Sequence, residues 1–210
     1  MLLSRTTRMG GLQLVKTGIT LCLILLLFTG PATLLPPSAV ALCADIFPTA
    51  LIPDFEVCPG VVMDGDPGVA SNGTELYELI NGGSSVYIAH GFVAGALQNM
   101  LVELDLGSTW GTMLITNQGT VANAEALFND PEIVSGDPVA DWPFEGEARL
   151  HVFFTTKLQL FHECFYFSIE IGSSEPDAYD AAYCLASYMI GMIETVPAGS
   201  RSWSLIKNIY

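Results

Sequence analysis

Three histidines and four of the cysteines are the residues of this chain best suited to do chemistry. His90, His151 and His162 could each act as a base, but a base also needs a nucleophile and an orienting group within hydrogen-bond reach. His162 and Cys164 form the one suggestive pair, because residues two apart on a strand share a face. No nucleophile-elbow, zinc, phosphate-loop or dinucleotide motif accompanies them. The sequence therefore predicts no catalytic residues and favours a non-enzyme over an enzyme.

The cysteines fit a different role, as disulfides of an exported protein. Cys22 lies in the N-terminal segment, which leaves Cys43, Cys58, Cys164 and Cys184. An even number of cysteines in an exported chain indicates disulfides. We predict the pairs Cys43–Cys58 and Cys164–Cys184. We predict neither a metal site nor a cofactor, since no C-x-x-C occurs and no histidine has ligand spacing from a cysteine pair.

The first 41 residues carry the features of an export signal. Arg5 and Arg8 precede a short apolar core at 19–28, and residues 39–41 (Ala-Val-Ala) match the small-x-small pattern that signal peptidase accepts. The apolar run is shorter than the roughly 20 residues that span a bilayer. We predict a signal peptide at 1–41 and a periplasmic or secreted protein. The alternative is a membrane protein anchored by an uncleaved N-terminal segment.

The net charge excludes one class of partner. After position 41, 22 acidic residues against four Lys and Arg leave a formal charge of −18. Such a surface repels the phosphates of nucleic acids and of anionic membranes. We expect no nucleic-acid partner, and contact with a membrane only through an uncleaved N-terminal segment. The remaining candidate partners are a small molecule or an envelope protein, bound by a monomer.

After the signal, the chain has the pattern of a single α+β domain, a curved antiparallel sheet with helices packed on it. We divide it into an irregular arm at 42–72, the domain at 73–197 and a C-terminal tail at 198–210. The arm is rich in Pro, Gly and Asp, a composition typical of turns. The remaining length is sufficient for one hydrophobic core.

Hydrophobic periodicity predicts the individual elements. Strands are expected at 85–89, 95–106, 110–116, 149–154, 158–161 and 165–171. On the second of these, Met100, Val102, Leu104 and Leu106 share the buried face. A hairpin turn is expected at 155–157. Helices are expected at 72–80, 120–128 and 174–194, because each begins at a residue that caps helices well.

The stretch LYELINGGSSVYIAHGF at 76–92 is the recognisable signature of the chain. It resembles a bacterial exported domain-of-unknown-function family, in which a helix ends in Tyr-Ile-Asn-Gly-Gly and a short strand follows. ITNQGTVANAEALF at 115–128 is similar to a second element of that family, and the resemblance covers about 45–197. The family has no assigned activity. Its arrangement is also similar to small lumenal photosystem accessory proteins, which implies a non-catalytic accessory role by analogy.

Asn81 and His90, within this signature, are the candidate ligand-binding residues. Asn81 precedes two glycines, a pattern that either binds a ligand or ends a helix. His90 stands where the family has an aromatic residue. We predict an uncharacterised exported binding or accessory module at the cell envelope. The alternative is an envelope enzyme with an acid/base site near His90.

Overall fold

The computed structural model describes residues 46–53 and 57–195. The predicted signal segment, its cleavage site, Cys43 and the tail at 198–210 lie outside these residues. Within them, seven strands form one antiparallel sheet in the order β1-β2-β3-β7-β6-β5-β4, and four α-helices accompany it. This architecture confirms the predicted α+β class and single domain. Within the described residues, no helix is both long and apolar enough to cross a membrane.

The strands are β1 (Val61–Ala70), β2 (Ala94–Leu104), β3 (Gly107–Asn117), β4 (Asp137–Pro138), β5 (Glu147–Val152), β6 (Thr156–His162) and β7 (Phe165–Ile171). The helices are α1 (Gly73–Leu79), α2 (Ser84–Ala89), α3 (Val121–Phe128) and α4 (Pro176–Thr195), with a short 3₁₀ helix at Pro48–Leu51.

The two faces of the sheet have different covers. One face packs against α4 and the 3₁₀ helix, where Met113, Phe167 and Leu185 belong to one large apolar cluster. The other face packs against α1, α2 and α3 around a smaller cluster that includes Leu76 and Phe128. Burial of each such side chain stabilises the fold by about 1.5–3 kcal/mol. The sheet is therefore the middle layer of three.

Two helix starts behave as the sequence predicts. The Asn72 side chain accepts hydrogen bonds from the backbone N–H groups of Thr74 and Glu75, both at 3.0 Å, and so caps α1. The Thr120 hydroxyl accepts from the N–H of Asn123 at 3.1 Å and caps α3. Each cap satisfies N–H groups that have no partner inside the helix.

Different turns and helices lie at the two ends of the sheet. At one end lie the β2–β3 turn at 105–106, the β5–β6 turn at 153–155 and the start of α4. We call this the turn end. At the opposite end, α1, α2 and α3 follow or precede the strands, and we call this the helix end.

The irregular arm predicted at 42–72 is wrong over 61–70, which forms the edge strand β1. The pairing of β1 with β2 shifts register between Asp64 and Gly68, so the Pro/Gly/Asp stretch is a bulge within a strand. The buried side-chain amide of Gln98 fills this bulge by donating to the carbonyls of Asp64 at 3.2 Å and Gly65 at 3.1 Å. The core also begins earlier than residue 73, since Ile46 is buried in it.

The strand predicted at 85–89 is also wrong, because these residues form α2. Its alternating pattern favours a strand, but the adjacent residues Val86 and Tyr87 are both buried, as on one side of a helix. The preceding Asn81, Gly82 and Gly83 all adopt positive φ and reverse the chain before α2 begins. Tertiary packing thus overrides the local preference.

Two strand ends differ from the prediction as well. β2 stops at Leu104, so Leu106 lies in the turn and is 80% exposed rather than buried. β5 stops at Val152, and the hairpin turn occupies 153–155 instead of 155–157. Both differences expose apolar side chains at the turn end.

Neither predicted cysteine pair forms, because Cys58 is bonded to Cys184, with their Cα atoms 5.8 Å apart. Cys164 is also disulfide-bonded. Cys164 follows β6 at the helix end, whereas Cys184 lies in the first half of α4, which starts at the turn end. The fold therefore separates two cysteines that are close in sequence.

We expect peptide mapping under non-reducing conditions to recover Cys58 linked to Cys184. The peptide containing Cys164 should likewise be recovered in a disulfide-linked form. Removing the first bridge with Cys58→Ala/Cys184→Ala should lower the free energy of unfolding by about 4 kcal/mol, because it frees a long loop in the unfolded chain. A peptide joining Cys164 to Cys184 would contradict the structure.

Candidate functional site: a groove on the sheet

A groove of about 570 Å³ lies on the sheet face that carries α1, α2 and α3. Its floor is made by alternate residues of four strands: Leu97, Thr112, Leu114, Lys157, Ser168 and Glu170. One wall is the α1–α2 turn at 79–83 with Val86 and Tyr87, and the other is formed by Glu132 and Ile133 after α3. The volume falls in the range of small-molecule sites.

On β3 and β7, the side chains of one face fill the core and those of the other face form the groove floor. Met113 and Ile169 point into the core beneath α4, so their neighbours Thr112 and Ser168 point into the groove. The pairing aligns Thr112 with Glu170, and Leu114 with Ser168. The floor is therefore polar around Thr112, Glu170 and Lys157, and it is apolar where Leu97 is aligned with Leu114.

Lys157 is the cationic group of the groove. It is the one lysine within the described residues and is aligned with Glu170 on the neighbouring strand. Across 46–53 and 57–195 both ion pairs are histidine–carboxylate pairs, and neither involves Lys157. Glu170 accepts a hydrogen bond from the Thr155 hydroxyl at 3.3 Å. The Lys157 ammonium is consequently available to acceptor oxygens of a ligand.

Most of the remaining lining is apolar. Leu79, Ile80, Leu97, Leu114 and Ile133 belong to the smaller apolar cluster or pack against it, and all five also line the groove. Together with the polar floor they make the groove amphipathic. Such a site suits a ligand with an apolar body and a few polar groups.

Asn81 lies in the groove wall and is exposed. Its φ is 53°, and φ is 105° at Gly82 and 69° at Gly83. A left-handed backbone of this kind favours Asn and Gly, so the Asn-Gly-Gly stretch ends α1. The same turn also lines the groove, and the binding role of Asn81 stays a prediction.

His90 lies outside the groove lining and pairs with Asp130. Its Nε2 is 2.8 Å from Asp130 Oδ2, and each side chain is 22% exposed. The hydrogen bond from His90 lowers the pKa of the Asp130 carboxyl, and the N–H of Glu132 adds to this. The pair ties the end of α2 to the loop that carries Glu132 and Ile133. His90 therefore connects the two walls of the groove.

The other two histidines do not line the groove. His162 is buried, and its Nδ1 is 2.9 Å from the backbone carbonyl of Glu145. Cys164 beside it is oxidised, so this suggestive pair does not provide a thiol nucleophile. His151 is exposed on β5. In the described part of the chain, no three His, Cys, Asp or Glu side chains are placed to hold a metal ion.

The residues of the groove floor were not predicted from the sequence. A signal was present, because the central strands β3 and β7 place Thr112, Ser168 and Glu170 among otherwise apolar residues. Central strands covered on both faces are usually apolar on both. Polar side chains at alternate positions there indicate a face that is open to solvent.

Tyr87 of the groove wall packs against a second buried tyrosine, Tyr166. Tyr166 is buried, and its hydroxyl accepts a hydrogen bond from Gln159 Nε2 at 2.6 Å. Its ring meets that of Tyr87 edge-on, with centroids 6.0 Å apart. Burial raises the pKa of Tyr87 to about 12, and burial together with the nearby Tyr87 raises the pKa of Tyr166 as well.

We expect His90→Ala to raise the pKa of Asp130 towards its ordinary value, because the main hydrogen bond to the carboxylate is lost. NMR titration of the side-chain carboxyl carbon measures this directly. The depressed pKa stabilises the fold above the unfolded-state pKa of about 4, and this contribution disappears as the pH falls through the folded-state value. His151→Ala is the matched control and should leave Asp130 unchanged. The same pKa in both variants would contradict the pairing.

We expect alkali to destabilise the fold less in Tyr87→Phe than in the unmodified protein. A raised tyrosine pKa contributes stability that is present below about pH 10 and lost as the pH rises towards 12. Between pH 8 and 11 the variant should lose about 1 kcal/mol less free energy of unfolding, measured with urea. Tyr77→Phe, at an exposed position of α1, should behave as the unmodified protein. Equal losses in all three proteins would refute the assignment.

Comparison with known proteins adds one structural likeness. No family model matches the chain, and no curated protein does. Among solved structures, the extracellular domain of PknH from Mycobacterium tuberculosis is similar over 70% of this chain and 94% of that domain. The TM-score is 0.45 and the sequence identity is 10%. A likeness of this size carries no argument about function.

Proposed function

We propose that this protein is a non-catalytic, extracytoplasmic binding module that takes a small amphipathic molecule in the groove. The observation that carries the proposal is the groove itself, whose walls are apolar and whose floor presents an ammonium without a carboxylate ion pair. Apolar parts of the ligand would lie against Leu79, Leu97 and Ile133. Its acceptor oxygens would meet Lys157.

The disulfides support the extracytoplasmic assignment. Cys58–Cys184 joins the segment before β1 to α4, and Cys164 is oxidised too. Structural disulfides persist in oxidising compartments and are rare in the cytosol. This agrees with the export signal predicted at 1–41, whose cleavage remains part of the proposal.

The alternative, an envelope enzyme near His90, has one observation in its favour. His90 and Asp130 form a histidine–carboxylate pair at 2.8 Å, the arrangement that orients a catalytic base. His90 does not line the groove, however, and its Nε2 already contacts the carboxylate. The geometry favours a role in holding the groove walls together.

We expect the fluorescent probe 1-anilinonaphthalene-8-sulfonate to bind the groove, because it combines aromatic rings with a sulfonate. Ser168→Trp should abolish the fluorescence increase, since a large ring on the floor would fill the groove. Lys157→Gln should weaken binding by about tenfold, the loss of one charge-assisted hydrogen bond. Fluorescence titration measures both effects.

Ser108→Trp is the matched control. Ser108 is exposed on β3, is aligned with Glu103 and does not line the groove, so the same substitution there should leave probe binding intact. Equal binding by the Ser168→Trp protein would contradict the proposal. Native mass spectrometry of the protein exported with its own N-terminus should then show whether a natural small molecule is retained by the unmodified chain and absent from Ser168→Trp.

A further inference from the structure

The three most exposed large apolar side chains of the described residues all lie in turns at the turn end. They are Leu106 at 80%, Phe154 at 79% and Phe153 at 67% exposure. Leu106 is in the β2–β3 turn, and the two phenylalanines are in the β5–β6 turn. We propose that this end of the sheet docks onto the interface of a lipid bilayer through these two apolar turns.

The strand pairing places both turns at the same end. Gly111 of β3 and Thr156 of β6 are both aligned with Ile171 of β7, so the turns that precede these two strands project in the same direction. The rings of Phe153 and Phe154 contact each other, with centroids 4.2 Å apart, and are not part of either apolar cluster. They form a protruding tip, separate from the core.

Trp110 and Val152 lie just behind the tips. Trp110 is 50% exposed on β3, and its indole lies so close to Gly172 that a Cβ there would clash with it. Tryptophan has an apolar body and a polar N–H, which is why it is enriched where a membrane meets water. The turn end thus has apolar tips followed by an amphipathic residue.

The β5–β6 hairpin carries little net charge. Residues 148–162 contain no acidic residue, in a chain that is strongly acidic elsewhere. The Arg149 guanidinium lies over the Phe128 ring beside α3, and Lys157 is aligned with Glu170 on the neighbouring strand. The phenylalanine tip can therefore enter a headgroup layer without carrying a carboxylate of the hairpin into it.

The β2–β3 turn sets the kind of bilayer. Glu103 and Asp105 both precede Leu106, and Asp177 accepts a hydrogen bond from the N–H of Asp105 at 2.6 Å. These carboxylates disfavour a densely anionic surface. The structure therefore points to a bilayer of low net charge, bound by apolar insertion. A separate, convex pair of tips suits a fluid interface, because no complementary pocket is needed.

This contact is distinct from the N-terminal anchor considered from the sequence. It needs only residues from the described core, which begins at Ile46. The cleaved chain from residue 42 onwards contains that core and has no N-terminal apolar segment of its own. Membrane binding by this form can therefore be attributed to the turns rather than to the N-terminal segment.

Co-sedimentation with phosphatidylcholine vesicles tests the proposal. The cleaved protein should partition onto the vesicles, and Phe153→Ser/Phe154→Ser should lower the partition coefficient at least tenfold. Leu106→Ser should lower it by a smaller factor. The matched control is Tyr77→Ser, which removes an aromatic side chain that is 60% exposed at the helix end and should change nothing. Thermal melting checks that each variant is folded.

A second measurement follows the tip directly. In Phe154→Trp, fluorescence should be quenched by brominated phosphatidylcholine more strongly than in the unmodified protein. Absence of sedimentation by the unmodified protein would overturn the proposal, as would an equal loss of binding in Tyr77→Ser. Binding that needs phosphatidylglycerol and disappears with added salt would overturn it too, because it would be electrostatic rather than apolar.

Discussion

The pairing of β3 with β7 at the centre of the sheet holds both of its faces in place. Along these two strands, one set of side chains fills the core beneath α4, and the alternate set faces the groove. A shift of one residue in register would exchange the two sets. The core therefore holds Thr112 and Ser168 in the floor through their buried neighbours Met113, Phe167 and Ile169. Packing on one face of the sheet thus determines which side chains the other face presents.

The walls of the groove depend on that same sheet through separate contacts. The Asn-Gly-Gly turn carries the chain from α1 into α2 along one side, and the loop after α3 forms the opposite side. The hydrogen bond between His90 and Asp130 joins these two segments. His90 therefore has a structural role in the groove, because its hydrogen bond limits how far the walls can separate.

The sequence predicts much of this fold and little of the site. The helices at α1, α3 and α4 and the strand β7 were predictable, because their caps and periodicity agree with their tertiary surroundings. β1 was predicted as an irregular arm, because its bulge has the composition of a turn. α2 was predicted as a strand, because its residues alternate. The disulfide partners of Cys58 and Cys164 depend on where α4 starts, which only the folded chain determines. The groove floor comes from four strands distant in sequence, and no local pattern brings Lys157 beside Glu170.

We propose that ligands bind over the β3–β7 floor. The most direct test is to follow backbone amide NMR signals while 1-anilinonaphthalene-8-sulfonate is added to the folded protein. We expect the largest shifts at Gly82, Leu114, Ile133 and Ser168, which come from separate segments and meet only at the groove. Shifts confined to the turn end, or to the aromatic cluster around Trp142 and Tyr183 beside α4, would contradict the account.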